Sequence, residues 1–569
     1  MVEYAIVVGM YLRTTQRKNR NGTTVTYYQL AHNIRRAETK TPVAEVIHNF
    51  GRADQLDREE LVRLCKSIAR ICGVVIHDPF TSPQEGKEAG LPKDVRYIQT
   101  MELGSVVVIE ALWERLGIGE TLRRLCREKG CTVPYERALL AMVANRLCEP
   151  ESKLGVWDRW LEKVYMPSCR GLKLAQMYEA MDVLHEHREA VEETVFFHTA
   201  NLMNLEVDLI FYDTTTVSFS IDYEDEDDDE AGEGMRKFGH SSTGTWAPQV
   251  VVALAVTREG LPVRSWVFPG NTPGIQTIKK VRADLKGWKL GRALFVADSG
   301  MNSEENRQQL ARACGKYLLA TRMGSVKEIK ETVLSHSGRY KVIRDNLHAK
   351  EVIVGDGERR RRYILCYNPK EAEKQRKHRE GVVQELEEEL KKHPDHNASA
   401  QWAIELLASG RYKRYLSIDK DNRICMDKAA IREAEKYDGT WVLLTNDDTI
   451  SIEDAASGYK SLMVIERCFR TLKRTRIKME PLHHWLPRRI ETHVKICVLA
   501  LLIERVIELQ CAQPWAKIRE ILHTLKVSEF TTATMQFFQR NEVSPKVSHS
   551  FKTLKIPLPK QVLSIASRS

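Results

Sequence analysis

Apolar and polar positions follow spacings that change from one region of the chain to the next. Before residue 60, short apolar runs lie on both sides of the turn Asn21-Gly22, which is typical of strands in a small β unit. From about Leu61 to Asn204, apolar residues recur every three or four positions, as they do between Leu139 and Leu147. This spacing predicts a helical region after the β unit.

Runs that match buried strands begin near residue 205. Five of them, with two helical segments between the later ones, lie at 209–212, 250–256, 263–268, 293–297 and 317–320. The order βββαβαβ predicts an α/β fold with a mixed sheet. The strand pattern returns at 441–445, and the residues from Ala456 to Arg474 have the spacing of an amphipathic helix.

Composition argues against two classes of protein. The 569 residues are 43% hydrophobic and 29% charged, and no apolar run approaches the roughly 18 residues that a membrane span needs. The 12 cysteines form neither zinc-spaced pairs nor a disulfide framework. Because the first twenty residues also lack a secretory signal, we expect a cytosolic protein.

Basic residues are concentrated in two segments. The chain has 87 Lys and Arg against 77 Asp and Glu, a formal charge of +10. Residues 13–40 contain seven basic residues and one acidic residue, and residues 467–495 contain nine and two. Such clusters are typical of proteins that bind the phosphate backbone of nucleic acid, with a solvated basic face as the alternative.

Three carboxylates are candidates for a catalytic site. Asp213 is expected just past the end of the first strand and Asp298 just past the end of the fourth, at the sheet edge where ligand sites gather. Glu466 lies midway along the predicted helix, on one face with Tyr459 and Lys473. The simpler alternatives are turn-forming aspartates and a distant ion pair on the helix.

Three oxygen donors of this kind suit Mg²⁺ or Mn²⁺, which prefer hard ligands and are completed by water and substrate phosphates. Two such ions would stabilise the attacking and leaving oxygens of an in-line phosphoryl transfer. With a basic segment directly after Glu466, the pattern predicts a nuclease or transferase that processes DNA.

The same segments resemble the DDE transposases of bacterial insertion sequences that carry a Tyr, Arg, Glu, Lys signature on the last catalytic helix. The matching residues are Phe211 to Thr216, Phe295 to Gly300, Trp441 to Thr445, and Tyr459 through Glu466 to Lys473. The signature arginine would fall at Leu462, and the sequence does not distinguish between Arg467 and Arg470 as its substitute. The resemblance spans roughly residues 205–505 and implies a ribonuclease-H-like core.

The resemblance implies a cut-and-paste DNA transposase in which Asp213, Asp298 and Glu466 hold two metal ions. Such an enzyme binds the terminal inverted repeats of its element, cleaves the ends and joins the freed 3′-hydroxyls to target DNA. It would act on double-stranded DNA in the bacterial nucleoid, as a homodimer or larger assembly. A nuclease of the same core without strand transfer, and a non-catalytic DNA-binding descendant, are the alternatives.

DNA contacts are expected from residues outside the acidic set: Arg17, Lys18, Arg20, His240, Trp441, Tyr459, Lys473, Arg474 and Arg476. The resemblance implies that Trp441 stacks on a base flipped from the cleaved end during hairpin formation, with packing in the core as the alternative. His240 lies in a polar loop, and the alternative to a DNA contact is that its side chain is merely exposed to solvent. His483-His484, after the basic segment, could contact phosphate.

The predicted organisation has six parts. They are a basic DNA-binding β unit at 1–60, a helical region for end binding or assembly at 61–204, a first core part at 205–322, an inserted subdomain at 323–440, a second core part at 441–510 and a tail at 511–569. The tail is expected to be helical to about Leu525 and irregular beyond it.

Overall fold

The computed structural model describes residues 10–18, 24–35, 42–71, 95–227, 234–241, 244–285, 288, 293–313, 315–323, 328–357, 360–392, 400–420 and 423–567. The chain divides into two compact units, Met1–Leu91 and Pro92–Ser569.

The first unit is a three-stranded antiparallel sheet followed by a helix. Its elements are β1 (Met10–Lys18), β2 (Thr24–Arg35), β3 (Pro42–Arg52) and α1 (Arg58–Ile71). The strands lie in the order β1-β2-β3, and nearly all side chains of β1 are exposed. The small N-terminal β unit predicted from the sequence is therefore confirmed.

The second unit begins with one strand and a group of helices. Its first elements are β4 (Arg96–Glu102), α2 (Gly104–Arg115), α3 (Ile118–Glu128), α4 (Tyr135–Cys148), α5 (Lys153–Gly155), α6 (Leu161–Lys163) and α7 (Leu174–Met203). A π-helical turn, Val156–Trp160, joins α5 to α6. The helix α4 is buried on nearly every side, because α2, α7 and other elements pack around it.

The middle of the chain supplies most of the strands. From residue 205 to 445 the elements are β5 (Leu209–Ser218), β6 (Lys237–His240), β7 (Trp246–Thr257), β8 (Pro262–Pro269), α8 (Gly274–Leu285), β9 (Leu294–Ala297), α9 (Glu304–Ala313), β10 (Lys316–Thr321), β11 (Lys341–Arg344), β12 (Leu347–Val354), β13 (Arg361–Tyr367), α10 (Pro369–Lys391), α11 (Ala400–Ala408), β14 (Leu416–Ile418), β15 (Ile424–Met426), α12 (Lys428–Glu435) and β16 (Thr440–Thr445).

Ten of these strands form one mixed sheet. Nine follow the order β11-β12-β13-β16-β10-β9-β5-β7-β6, and β8 also pairs with β7. The pairs β5·β9 and β9·β10 are parallel, and the other pairs are antiparallel. The predicted α/β class with a mixed sheet is confirmed. The strands β11 to β13 of the segment 323–440 extend this sheet, whereas α10, α11 and the β14·β15 pair share a small core of their own.

The C-terminal part returns to helices and then to strands. Its elements are α13 (Ile452–Lys460), α14 (Met463–Arg470), α15 (Pro487–Cys511), α16 (Trp515–His523), β17 (Lys526–Thr531), β18 (Met535–Arg540), α17 (Pro545–Thr553) and β19 (Val562–Ser567). The expectation of an irregular tail after Leu525 is wrong, because β17 to β19 form a four-stranded sheet with β4. Among the described residues, no helix is both long enough and apolar enough to cross a bilayer.

Alternation along β5 separates two hydrophobic cores. Phe211 and Val217 face the core that contains apolar residues of α4, α7 and α15, and Ile210 and Tyr212 face the core that contains those of α8 and α9. Side chains of a strand point to opposite faces in turn, so a strand that is apolar at every position is buried on both sides. The apolar first half of β5 is buried in this way, inside the sheet between β9 and β7.

Candidate active site

Two aspartates lie side by side on neighbouring parallel strands. In the register of β5 and β9, Tyr212 pairs with Ala297, and Asp213 and Asp298 are the next residues on the two strands. Asp298 follows the end of β9, as predicted. The prediction for Asp213 needs a correction: β5 continues to Ser218, because its second half pairs with β7 after the pairing with β9 has ended.

The electrostatics of Asp213 show that acidic groups converge here. Burial raises the pKa of Asp213 to about 6, and the charges of Asp298 and Glu466 act in the same direction. The Thr214 amide donates a hydrogen bond of 2.7 Å to Asp213 Oδ1, which opposes the shift. Asp298 and Glu466 therefore both lie within electrostatic reach of Asp213, although the three acids come from three separate elements.

Tyr459, near the end of α13, belongs to the same group. Its hydroxyl donates a hydrogen bond of 3.0 Å to Asp298 Oδ1. Burial raises the pKa of Tyr459, and the charges of Asp298, Glu466 and Asp213 raise it further. The phenol therefore remains a hydrogen-bond donor at neutral pH and orients the carboxylate of Asp298.

The segment that carries Glu466 is not the continuous helix predicted from Ala456 to Arg474. Hydrogen bonds from Leu462 N to Tyr459 O and from Ile465 N to Leu462 O tighten the chain between α13 and α14. Tyr459 and Glu466 consequently lie on separate helices. Ile465 and Phe469 are buried, and Glu466 is exposed on the other side of α14.

Lys473 holds the end of this segment to the sheet. It lies in the π-helical turn Thr471–Thr475 and is only 9% exposed. Its ammonium donates to the carbonyl oxygen of Thr216 on β5 and lies 3.6 Å from Glu480. Lys473 therefore connects the segment of Glu466 to the strand of Asp213, and its predicted contact with DNA stays a prediction.

The other basic residues of the C-terminal cluster have different surroundings. Arg476 donates to Glu504 and Glu508 of α15, at 2.5 and 2.7 Å. Arg467 and Arg470 are exposed and line a cavity of about 480 Å³ that none of the three acids lines. The side chain of Arg474 lies outside the described residues.

The remaining predicted DNA contacts lie on other elements. Arg17 and Lys18 are exposed on β1 of the first unit, and Arg20 lies outside the described residues. His240 is exposed at the end of β6, where its ring contacts Trp246 at a centroid distance of 4.8 Å.

Trp441 is half-buried in β16, opposite Cys366 of β13. Its ring packs against the larger hydrophobic core, and its indole nitrogen is buried. The structure thus gives Trp441 a packing role, and base stacking stays a prediction.

The acidic group fits a divalent cation by the chemistry of its donors. Its members are carboxylates; burial raises the pKa of Asp213, and the charges of Asp298 and Glu466 add to that shift. Hard cations such as Mg²⁺ and Mn²⁺ prefer such oxygen ligands. The described ranges contain no group of three His, Cys, Asp or Glu side chains arranged to hold a metal ion, so the three acids supply the donor types for a cation without the arrangement of a formed metal site.

Two family models match the chain. Residues 209–503, more than half of the 569, match the transposase DDE domain, and residues 12–78 match the N-terminal domain of IS1634 family transposases. The chain belongs to the DDE transposases. It is an insertion-sequence DNA transposase, a phosphoryl transferase of a family that generally uses divalent metal ions. The resemblance drawn from the sequence is confirmed, apart from the Tyr, Arg, Glu, Lys signature, whose arginine position holds Leu462.

A solved structure gives a fainter similarity. The cryo-EM structure of the piggyBac transposase synaptic complex with hairpin DNA shares 10% sequence identity with this transposase, covering 74% of this chain and 79% of that chain. The TM-score of 0.34 is too low to carry an argument about this fold. No curated protein matches the transposase.

Proposed function

We propose that this transposase binds the terminal inverted repeats of its element, cleaves the DNA at their ends and joins the freed 3′-hydroxyls to target DNA. The observation that carries the proposal is that the charges of Asp298 and Glu466 both act on Asp213. Neighbouring parallel strands supply the two aspartates, and the charge of Glu466 reaches Asp213. Asp298 lies just past the carboxyl end of β9, where ligands bind in α/β folds, and Asp213 lies beside it within β5.

Asp213, Asp298 and Glu466 would hold two Mg²⁺ or Mn²⁺ ions. Bound there, the ions would lower the pKa of water and balance the charge of the transferred phosphate. Tyr459 keeps Asp298 oriented, and Lys473 keeps the segment of Glu466 against β5. Water would attack first to cleave the end, and the exposed 3′-hydroxyl would attack next to join it.

Exposed basic residues would bind the DNA backbone. Arg17 and Lys18 on β1, together with Arg20 and Arg474, have the charge for phosphate contacts, which supply affinity with little base specificity. His240 would contact DNA from the end of β6. Because two element ends must be joined together, the working form would be a homodimer or larger assembly on DNA in the bacterial nucleoid.

The assay that tests this function combines the full chain, Mg²⁺, a duplex that ends in the element's terminal repeat and a supercoiled target plasmid. We expect cleavage at the repeat and a covalent product between repeat and plasmid. Cleavage without that product would indicate a plain nuclease. Binding of the repeat without cleavage in Mg²⁺ or Mn²⁺ would indicate a non-catalytic descendant.

Trp441→Ala is expected to lower the free energy of unfolding by about 2 kcal/mol, since large-to-small changes at aromatic core positions cost about 3 to 5 kcal/mol and this ring is only half-buried. Urea unfolding measures the loss. The matched control is Trp246→Ala, because Trp246 is 62% exposed and its removal is expected to change stability by under about 0.5 kcal/mol. A Trp441→Ala protein of wild-type stability that nicks DNA but forms no hairpin would show that the ring stacks on a base.

A further inference from the structure

A basic cavity of about 250 Å³ lies among α4, α5, α15 and the loop that follows the turn of Lys473. We call it the 153 cavity. Six nitrogen-bearing side chains line it: Arg146, Lys153, Lys478, His483, His484 and His493. Two carboxylates also line it, and each lies beside a basic residue outside the lining, Glu151 at 2.7 Å from Arg159 and Glu480 at 3.6 Å from Lys473.

Two basic side chains are buried at this cavity. Arg146 is 7% exposed and donates to the carbonyl oxygens of Lys478 and Glu151, which are neutral acceptors. Lys153 is 4% exposed, and its Nζ lies 2.7 Å from Nδ1 of His493. Buried charges normally have a partner of opposite sign. Among the described contacts of these two side chains, no carboxylate fills that role.

The titration of the lining agrees with an excess of positive charge. Burial, with a contribution from the charge of Arg146, lowers the pKa of Lys153 to about 7. Burial lowers the pKa of His484 to about 3, with contributions from Lys153, Arg489, His483 and Arg146. An anion in the cavity would act in the opposite direction on both groups.

The cavity is connected to the acidic site by a short chain of contacts. Glu480 lines the cavity and lies 3.6 Å from the ammonium of Lys473. The same ammonium donates to the carbonyl oxygen of Thr216, three residues beyond Asp213 on β5. The cavity and the strand that carries Asp213 are therefore only two side chains apart, Glu480 and Lys473.

We propose that the 153 cavity binds a backbone phosphodiester of the DNA strand held at the acidic site. The inference rests on the proposed function, since it takes the bound DNA as the source of the phosphate. Lys153 and His484 would donate to the phosphate oxygens from the floor, and the exposed Lys478 and His483 would donate from the rim. The buried Arg146 would supply charge, because its carbonyl partners already hold it in place.

The test measures equilibrium binding of the full chain to a terminal-repeat duplex over a range of salt concentrations. Lys153→Met keeps most of the length of the side chain and removes the buried charge. We expect about tenfold weaker binding and a salt slope that is smaller by about one unit, the change for one lost phosphate contact.

Lys478→Gln, at an exposed position, is expected to act in the same direction without a risk to folding. Lys517→Met, on an exposed part of α16 outside the cavity, is the matched control and should leave the slope unchanged.

A neutral methylphosphonate placed at one phosphate at a time locates the contact. At one position in the DNA, the methylphosphonate is expected to weaken binding by the wild type. At the same position it should not weaken binding by Lys153→Met any further. Wild-type affinity and slope in both Lys153→Met and Lys478→Gln would overturn the proposal. Stabilisation of the wild type by inorganic phosphate, with an unchanged DNA slope in the variants, would also overturn it and would assign the cavity to free anions.

Failure of this proposal is distinguishable from failure of the proposed function. If the cavity takes no phosphodiester, the wild type still binds the repeat and still forms the joined product. If the wild type does not bind the repeat, both the proposed function and the cavity assignment are overturned.

Discussion

Asp213→Asn is expected to reduce cleavage and strand transfer by roughly 10³-fold or more while leaving DNA binding intact. Removal of a single group that stabilises transition-state charge costs about 10²- to 10³-fold, and Asp213 would in addition hold metal. The folded state should lose no stability, because the variant removes one of three carboxylates that repel one another. Single-turnover cleavage, thermal unfolding and repeat binding together measure the three effects.

The matched control is Asp208→Asn. Asp208 is exposed just before β5 and pairs with Arg258 at the surface, so its loss should leave cleavage near the wild-type rate. Asp298→Asn and Glu466→Gln are expected to behave like Asp213→Asn. Intact Mg²⁺-dependent cleavage in any of the three would remove that residue from the catalytic set.

The positions of the two aspartates were predictable because they depend on local pattern. Each follows a run of apolar residues long enough for one buried strand, and strands of this kind pair at the centre of a sheet. The extension of β5 past Asp213 was not predictable, because Thr214, Thr215 and Thr216 are polar. Their strand conformation comes from pairing with β7, which is a tertiary contact.

The break before Glu466 was hidden for a similar reason. The apolar positions 462, 465, 469 and 472 keep helical spacing across the break, so periodicity alone indicates one helix. The strands of the tail were not predicted because two of the three buried positions of β17 are polar, Glu529 and Thr531. The sequence of β17 therefore lacks the alternation of apolar and polar residues that indicates a half-buried strand. Pairing with β4, more than 400 residues earlier, creates that burial.

The basic cluster at 467–495 illustrates what charge counting cannot resolve. Lys473 bonds to a backbone carbonyl of β5, and Lys495 is buried beside Glu192 of α7. The partners of these side chains lie far away in the sequence. A count of basic residues therefore cannot distinguish a lysine or arginine in an internal ion pair from one that contacts phosphate. The predicted DNA partner rests on the family match, and the role of each basic residue depends on its own contacts.

Arg476 allows the sharpest separation of these two roles. The basic cluster in the sequence predicts that Arg476 contacts DNA, whereas the structure pairs Arg476 with Glu504, which is 1% exposed. Breaking a buried pair by removing one partner costs about 3 to 5 kcal/mol, because the other group must then be buried as an unpaired charge or take up a proton. We therefore expect Arg476→Ala to lower the free energy of unfolding by about 3 kcal/mol at pH 8.

The loss should depend on pH with a defined sign. Burial raises the pKa of Glu504 to about 7, above the value of a carboxyl in an unfolded chain, so its contribution to stability falls as the pH rises through about 7. Without Arg476, whose charge lowers this pKa, the carboxyl would hold its proton to a still higher pH. The loss in free energy of unfolding caused by Arg476→Ala should therefore be smaller at pH 6 than at pH 8.

Urea unfolding at both pH values, with repeat binding measured in parallel, checks the result. Adding Glu504→Gln to Arg476→Ala should restore most of the stability at pH 8, since no buried charge then remains at that position. Arg467→Ala, on the exposed side of α14, is the control and should leave stability unchanged. Unchanged stability of Arg476→Ala together with weaker repeat binding would show that Arg476 contacts DNA and that its pairing with Glu504 contributes little to the fold.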